Sequence, residues 1–347
     1  MVLGGLGVVV VLLAAAITAT VGWRPFFGPA ARPLTDRRFE PTSARRARGQ
    51  YLFTAGAACI GCHSEWDRTL DGHPAKAGFE GAGRNWADEG MPWLTAPNLT
   101  PDADTGAGTW TDDMLARSIR EGIGHDGRAL FPVMPYVRFA AMSDEDLASI
   151  VVYLRSLPPV RRSLPKTAIP FPPGPLINSV PKPVTAPVPA PDMSTPERAG
   201  AYLVRMAVCA ECHTPSDDRG NKLPGLEFAG GFPLPDATAG HTIVSANITQ
   251  DPSGIPYYDE ALFIQTIRTG RVVARKLDDM MPWASYRNLT DDDLKAMFAY
   301  LKTVTPVKHT VDNSLPPTPC PVCKTSHGGG DRNVAPQVAN TAAPHAP

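Results

Sequence analysis

Two stretches decide how this chain is read: Cys59-Ile60-Gly61-Cys62-His63 and Cys209-Ala210-Glu211-Cys212-His213. Each sets two thiols at C-x-x-C spacing and follows them at once with an imidazole. C-x-x-C-H is the attachment signature of a c-type haem, in which two thioethers hold the porphyrin and the adjacent histidine faces the iron from one side. One copy is moderately specific. Two copies at matching places in an internal repeat are a strong signal, because a pair of disulfides or a Cys/His zinc site leaves the repeated histidine and methionine unexplained.

The repeat extends well beyond the motifs. Gly49-Gln50-Tyr51-Leu52 matches Gly200-Ala201-Tyr202-Leu203, and Phe79-Glu80-Gly81 matches Phe228-Ala229-Gly230. Asn98-Leu99-Thr100 matches Asn247-Ile248-Thr249, Ile119–Gly122 matches Ile267–Gly270, and Met134-Pro135-Tyr136 matches Met281-Pro282-Trp283. A period this long means two copies of a domain rather than a solenoid. Each copy closes on an amphipathic helix: Ser143 or Thr290 as N-cap, acids in the first turn, then apolar residues at i, i+3, i+4 and i+7. Gly122 and Gly270 sit where a helix C-terminus wants glycine. Strong strand alternation is lacking, so the expected fold class is all-α, two such domains in tandem.

The 347 residues suit two domains with chain to spare. A net charge of −1 gives no basic footprint and argues against nucleic-acid binding. Residues 49–157 carry eight basic against fifteen acidic side chains, a surface suited to docking a basic partner. From Val2 to Trp23 no residue is charged. As one helix that run spans ~33 Å, enough for a bilayer core, and reads as a transmembrane anchor, with a cleaved signal ending near Ala19 as the alternative. The arginines that follow favour the cytoplasm for that flank, but attachment of c-type haem outside the bacterial inner membrane outweighs them. The expected divisions are 1–23 anchor or signal, 24–43 linker, 44–160 first domain, 161–192 proline-rich linker, 193–310 second domain and 311–347 disordered tail. Twelve prolines between Pro158 and Pro191 mark that linker as extended and semi-rigid rather than helical.

The sixth ligand of each iron should come later in its repeat. Met134 and Met281 occupy the same repeat position, whereas Met91, Met142 and Met280 compete less well on alignment. A thioether opposite an imidazole favours ferrous iron and raises the potential. With both axial positions filled, no site is open to substrate, so no catalytic residue is assigned and electron relay is favoured over a dihaem peroxidase. Trp110 and Tyr258 are candidates to pack on porphyrin. Arg120 and Arg268 are candidates for haem propionates or, equally, ordinary exposed helix arginines.

The third pair, Cys320-Pro321-Val322-Cys323, is followed by Lys324 and not by histidine. In an oxidising compartment the first expectation is a disulfide. A lysine-ligated haem and a zinc site made by His309, Cys320, Cys323 and His327 rank below it.

On these residues each repeat resembles a class I cytochrome c domain, and the tandem resembles the cytochrome c subunits of membrane-bound periplasmic dehydrogenases of the quinoprotein alcohol and gluconate types. The resemblance covers about residues 44–160 and 193–308. It implies two covalently bound haems c, held by Cys59, Cys62, Cys209 and Cys212, with His63 and Met134 on one iron and His213 and Met281 on the other. It also implies single-electron transfer on the periplasmic side of the inner membrane, from a dehydrogenase donor to a cytochrome or oxidase acceptor, within a multisubunit complex. A fixed subunit of a terminal oxidase is the alternative. Those dehydrogenase subunits carry three haem domains and a C-terminal membrane helix, whereas this chain has two and an N-terminal apolar segment.

Overall fold

The structure, a computed structural model, describes residues 2–217, 220–235 and 242–334. Both repeats build the same helical frame. In the first, Thr42 caps a leading helix, Ser43–Tyr51, which runs into a π-helical turn at Leu52–Gly56 and then the motif turn Cys59–Cys62. A middle helix, Asp112–Glu121, starts at Thr111 and stops at Gly122, and the closing helix Asp144–Ser156 starts at Ser143. In the second repeat the leading helix is Pro196–Met206, the motif turn Cys209–His213, the middle helix Glu260–Thr269 and the closing helix Asp291–Thr303.

Leading and closing helices cross at a glycine in each domain. A Cβ on Gly49 would lie 1.9 Å from the Ser149 carbonyl oxygen, and one on Gly200 would lie 1.9 Å from that of Ala296. Backbone touches backbone there, so no side chain larger than hydrogen fits. Around each crossing lies one apolar core: Leu52, Phe53, Leu147, Ile150 and Leu154 in the first domain, Leu203, Phe263, Leu294, Phe298 and Leu301 in the second.

The all-α expectation needs correcting, because strands are present. Among the described residues there are four two-stranded antiparallel pairs: β1 (Arg84–Trp86) with β2 (Met91–Ala96), β3 (Pro233–Pro235) with β4 (Thr242–Val244), β5 (Arg271–Val272) with β6 (Arg275–Lys276), and β7 (Pro317–Pro319) with β8 (Ser326–Gly328). At two to six residues each, they are too short for alternation to register in sequence. The transmembrane helix is also overturned: among the described residues no helix is long and apolar enough to cross a membrane. The uncharged run does not form a single helix. Its helix ends at Ala19, giving 18 residues or ~27 Å against a ~30 Å hydrocarbon core, and Gly22 at φ +69° turns the chain before Trp23.

The proline-rich segment also behaves differently. It includes a helical turn, Pro173–Leu176, and its first half lies along the first domain rather than spanning a gap. The Val160 amide donates to Thr100 Oγ1 at 3.1 Å, the Ala168 amide to the Trp93 carbonyl at 2.8 Å, and Thr167 Oγ1 to the Thr95 carbonyl at 3.0 Å. Residues 311–334 of the expected tail hold β7, β8 and a 3-10 turn; residues 335–347 lie outside the described residues.

The two domains pack directly, with a pseudo-twofold relation. The Tyr202 hydroxyl of the second leading helix donates to Asp146 at 2.7 Å and accepts from the Ser143 amide at 3.3 Å, at the start of the first closing helix. Tyr51 repeats this on the second closing helix, donating to Asp293 and accepting from the Thr290 amide at 3.1 Å. Burial, together with the neighbouring carboxylate, pushes both phenols up to about 12, so they remain donors at neutral pH.

Candidate functional site

Each motif turn is preceded by a residue held left-handed, Ala58 at φ 48° and Val208 at φ 50°. For a β-branched valine this is a true outlier, worth roughly 1–3 kcal/mol of local strain, and such strain concentrates at functional sites. The matching position in both repeats indicates that the turn into the cysteines requires it.

The imidazoles are held identically. His63 Nδ1 donates to the Pro97 carbonyl at 3.0 Å, and His213 Nδ1 to the Ala246 carbonyl at 2.8 Å. Those acceptors immediately precede the repeated Asn98-Leu99-Thr100 and Asn247-Ile248-Thr249. The Asn98 and Asn247 Oδ1 atoms each accept from the threonine amide and hydroxyl two residues on, fixing the strip that carries the acceptor. The histidine carbonyls are held too, by the amides of Gly83 and Gly230, both at 2.8 Å. With Nδ1 committed, Nε2 is the nitrogen left to face a metal, an arrangement in which the outer hydrogen bond fixes tautomer and ring orientation. Burial lowers both imidazoles below their ordinary range and keeps them neutral. It raises the Cys59 and Cys209 thiols to about 12.

The residues fit a haem on a specific observation. Around each core sits a half-buried apolar rim, and the rims match position by position: Cys59, Ile60, Leu99, Trp110 and Met134 on the first, Cys209, Ala210, Ile248, Tyr258 and Met281 on the second. Each rim thus brings a motif thiol and the expected methionine to one core. Met142 and Leu289, which share a repeat position, are buried. Met91 opens β2, and Met280 is tied by its amide to Asp278 Oδ1 at 2.9 Å. Met91 and Met280 belong to neither rim.

The two candidate arginines fall elsewhere. Arg120 is buried and reaches Asp144 Oδ1 at 2.6 Å and the Met142 carbonyl, while Arg268 reaches Asp291 Oδ1 at 2.5 Å and the Arg287 carbonyl. Both arginines tie a middle helix to a closing helix. Trp110 stacks on His125 with ring centroids 4.2 Å apart.

The cations beside the motifs are ones that sequence reasoning missed. Arg84 is buried between Trp66 and Trp86, its guanidinium carbon 3.6 and 4.3 Å from the ring centroids, and it pairs with Glu89 at 2.6 Å. It lies close enough to Cys62 to lower that thiol's pKa against the effect of burial. Lys222 plays the matching electrostatic part at Cys212. Both motifs are also tied at their middle carbonyl: Trp66 Nε1 donates to Gly61 at 2.6 Å, and Lys222 Nζ donates to Glu211. Because an indole and an ammonium do the same work, the repeat alignment carries no signal for either.

Each motif lies against the turn that follows the expected methionine of the other domain. Arg138, four residues after Met134, pairs with Glu211 inside the second motif. Ser285, four residues after Met281, lies against Gly61 inside the first, 3.4 Å from where its Cβ would stand. Ala55 and Ala58 pack in the second domain's core, and Met206 in the first's.

Comparison with known proteins agrees with this geometry. Residues 46–158 match the family described as cytochrome c, and residues 195–301 match that described as cytochrome c oxidase, cbb3-type, subunit III. The chain is 32% identical over 227 residues to one of the subunits of the nicotinate dehydrogenase of Pseudomonas putida, covering 62% of this chain and 17% of that protein. It is 28% identical over 341 residues to the cytochrome c subunit of the quinone alcohol dehydrogenase of Gluconacetobacter polyoxogenes, covering 86% of this chain and 68% of that one. It is 28% identical over 272 residues to a protein of Cereibacter sphaeroides named diheme cytochrome c-type, covering 77% and 88%. The chain therefore spans less than a fifth of the first of these relatives and about two thirds of the second.

Proposed function

We propose that this chain, which belongs to the cytochrome c family and carries two covalently bound haems c, passes single electrons between its two domains, from a dehydrogenase to a respiratory acceptor. The observation that carries this reading is the reciprocal contact just described, in which each haem motif is covered by the methionine turn of the other domain. Haem supplies the one-electron couple. The chain's own residues would hold and tune it: His63 with Met134 and His213 with Met281 would ligate the two irons, and Cys59, Cys62, Cys209 and Cys212 would tether the porphyrins. Arg84 and Lys222 supply positive charge beside each motif for acidic groups of the porphyrin. The apolar rims would lower the dielectric beside the haem, which together with thioether ligation would favour the reduced state.

Relatives named as cytochrome c subunits of quinone alcohol, fructose and gluconate dehydrogenases support a dehydrogenase as donor within a complex. The oxidase-type match of residues 195–301 favours the second reading, a fixed component of an oxidase complex. Mild purification separates the two readings by which enzyme accompanies the chain. The proposed location is the periplasmic face of the cytoplasmic membrane, reached through partner contacts; recovery of the haem-loaded protein from the cytosol would contradict it. Rapid mixing with a reductant that reaches one domain tests the relay. Reduction of the second haem should follow the first by an intramolecular phase independent of protein concentration, and a rate proportional to concentration would contradict it.

A further inference from the structure

The segment after the second domain brings four metal-type ligands together. His309, Cys320, Cys323 and His327 present their ligand atoms within 4.8 Å of one another, and all four are buried. The two thiols are free rather than bonded to each other, unlike the disulfide first expected for an oxidising compartment. Among the described residues this is the one such cluster.

The surroundings orient these side chains as ligands. His309 Nδ1 donates to the Ala229 carbonyl at 2.9 Å, which turns Nε2 toward Cys320 Sγ, 3.4 Å away. A tetrahedral ion with sulfur at about 2.3 Å and nitrogen at about 2.0 Å puts such a pair about 3.5 Å apart. His327 is wholly buried; its Nδ1 donates to the Gly328 carbonyl at 3.1 Å, yet its Nε2 has no hydrogen-bond partner. A buried ring nitrogen with its lone pair unused, beside two thiols and a second imidazole, is placed as a metal ligand. The turn Cys320–Thr325 is tight: the Lys324 amide donates to the Cys320 carbonyl at 3.1 Å, with Lys324 left-handed at φ 64°, and the Cys320 amide donates to the Thr325 carbonyl at 3.2 Å. This closes both sulfurs onto one side. Asn333 Nδ2 donates to Cys320 Sγ at 3.5 Å, a contact that suits a thiolate. The second domain closes the remaining side, since a Cβ on Gly231 would meet His309 at 2.6 Å and Cys323 Sγ at 3.4 Å.

We propose that these four residues bind one structural zinc ion, clamping residues 309–333 onto the second haem domain. Two thiolates and two imidazoles in one tetrahedral set match zinc's preference, and no ligand position is left for water or substrate. The mutual closeness of all four ligand atoms fits a single shared ion, whereas a two-iron cluster divides its ligands two and two. The clamp acts on the part of the domain that holds the second axial histidine: Ala229 accepts from His309, Gly230 donates to the His213 carbonyl, and Gly231 donates to Ser245, beside the Ala246 carbonyl that orients His213.

The test is elemental analysis of the full-length, haem-loaded protein, with zinc-edge X-ray absorption. The expected result is one zinc per two haem irons and a shell of two sulfurs and two nitrogens. Cys323→Ser and His327→Gln should lose the zinc while keeping both haems. Should these variants fail to accumulate, native mass spectrometry of the unaltered protein should show chelator removing one zinc mass with both haems retained. A Cys320–Cys323 disulfide in metal-free protein, iron or copper in place of zinc, or unchanged zinc in both variants would overturn the proposal.

Discussion

The two haem domains share what touches the imidazole and differ in what backs it. In both, a carbonyl one residue before an asparagine-anchored strip accepts from histidine Nδ1, and a glycine amide holds the histidine carbonyl. Behind that common frame, β1 and β2 in the first domain lie against the linker through Thr167 and Ala168, with Arg84 and Glu89 paired inside. In the second domain, β3 and β4 lie against the folded 309–333 segment: Asn313 Nδ2 donates to the Val244 carbonyl at 2.8 Å, while its Oδ1 accepts from the Val244 amide at 3.0 Å. The inner contacts are therefore the requirement common to both repeats, and the outer brace is free to be built from whatever chain lies nearby.

The largest effect that would break this comparison is on haem content. Cys59→Ala with Cys62→Ala should lower covalent haem from two to one per chain, and Cys209→Ala with Cys212→Ala should do the same, as read by the alkaline pyridine spectrum. Loss of both haems from either double variant would mean that the domains do not load independently. Next come the helix crossings. Gly49→Ala and Gly200→Ala each drive a methyl into a carbonyl oxygen and should each cost about 3 kcal/mol or more, measured by chemical unfolding. A large difference between them would show that the crossings are not equivalent.

The braces are separable by a crossed experiment. Arg84→Leu leaves Glu89 buried with only Arg68, at 2.5 Å, and should cost about 3 kcal/mol while shifting the first haem's potential alone. His309→Ala should shift the second haem alone. Equal movement of both potentials by either variant would dissolve the distinction. Tyr51→Phe and Tyr202→Phe should each lose about 1.5–3 kcal/mol, the range for hydrogen bonds to charged groups, and a double variant should be additive within about 0.5 kcal/mol.

The smallest effect is with pH. Burial opposes ionisation of Asp113, but hydrogen bonds from Arg32 and Thr35 win and hold it at about 2. A carboxylate held below its unfolded value of about 3.9 adds stability that is complete above that pH and is lost as pH falls through about 2. Asp113→Asn should therefore lower stability at neutral pH and flatten the acid limb between about pH 4 and pH 2.

Much of this was legible from residue type and spacing. The repeat, the caps at Ser143, Thr290 and Thr195, and the stops at Gly122 and Gly270 are local signals, and local hydrogen bonds decide them. Strands as short as Arg271–Val272 leave no period to read. The run to Trp23 has no charge, yet backbone geometry at Gly22 ends its helical reading before composition does. Residues 311–334 have a disordered composition because their order rests on four ligand side chains and a glycine-lined fold rather than on an apolar face. Arg84 and Lys222 were unreadable because their work depends on neighbours brought in from other turns.

The central claim is that each iron is closed by a histidine and the matching methionine. Carbon monoxide binding to the fully reduced protein tests it most directly, with Met134→Ala and Met281→Ala alongside. The unaltered protein should bind none on mixing and each variant one per chain; rapid binding to the unaltered protein, or variants indistinguishable from it, would contradict the account.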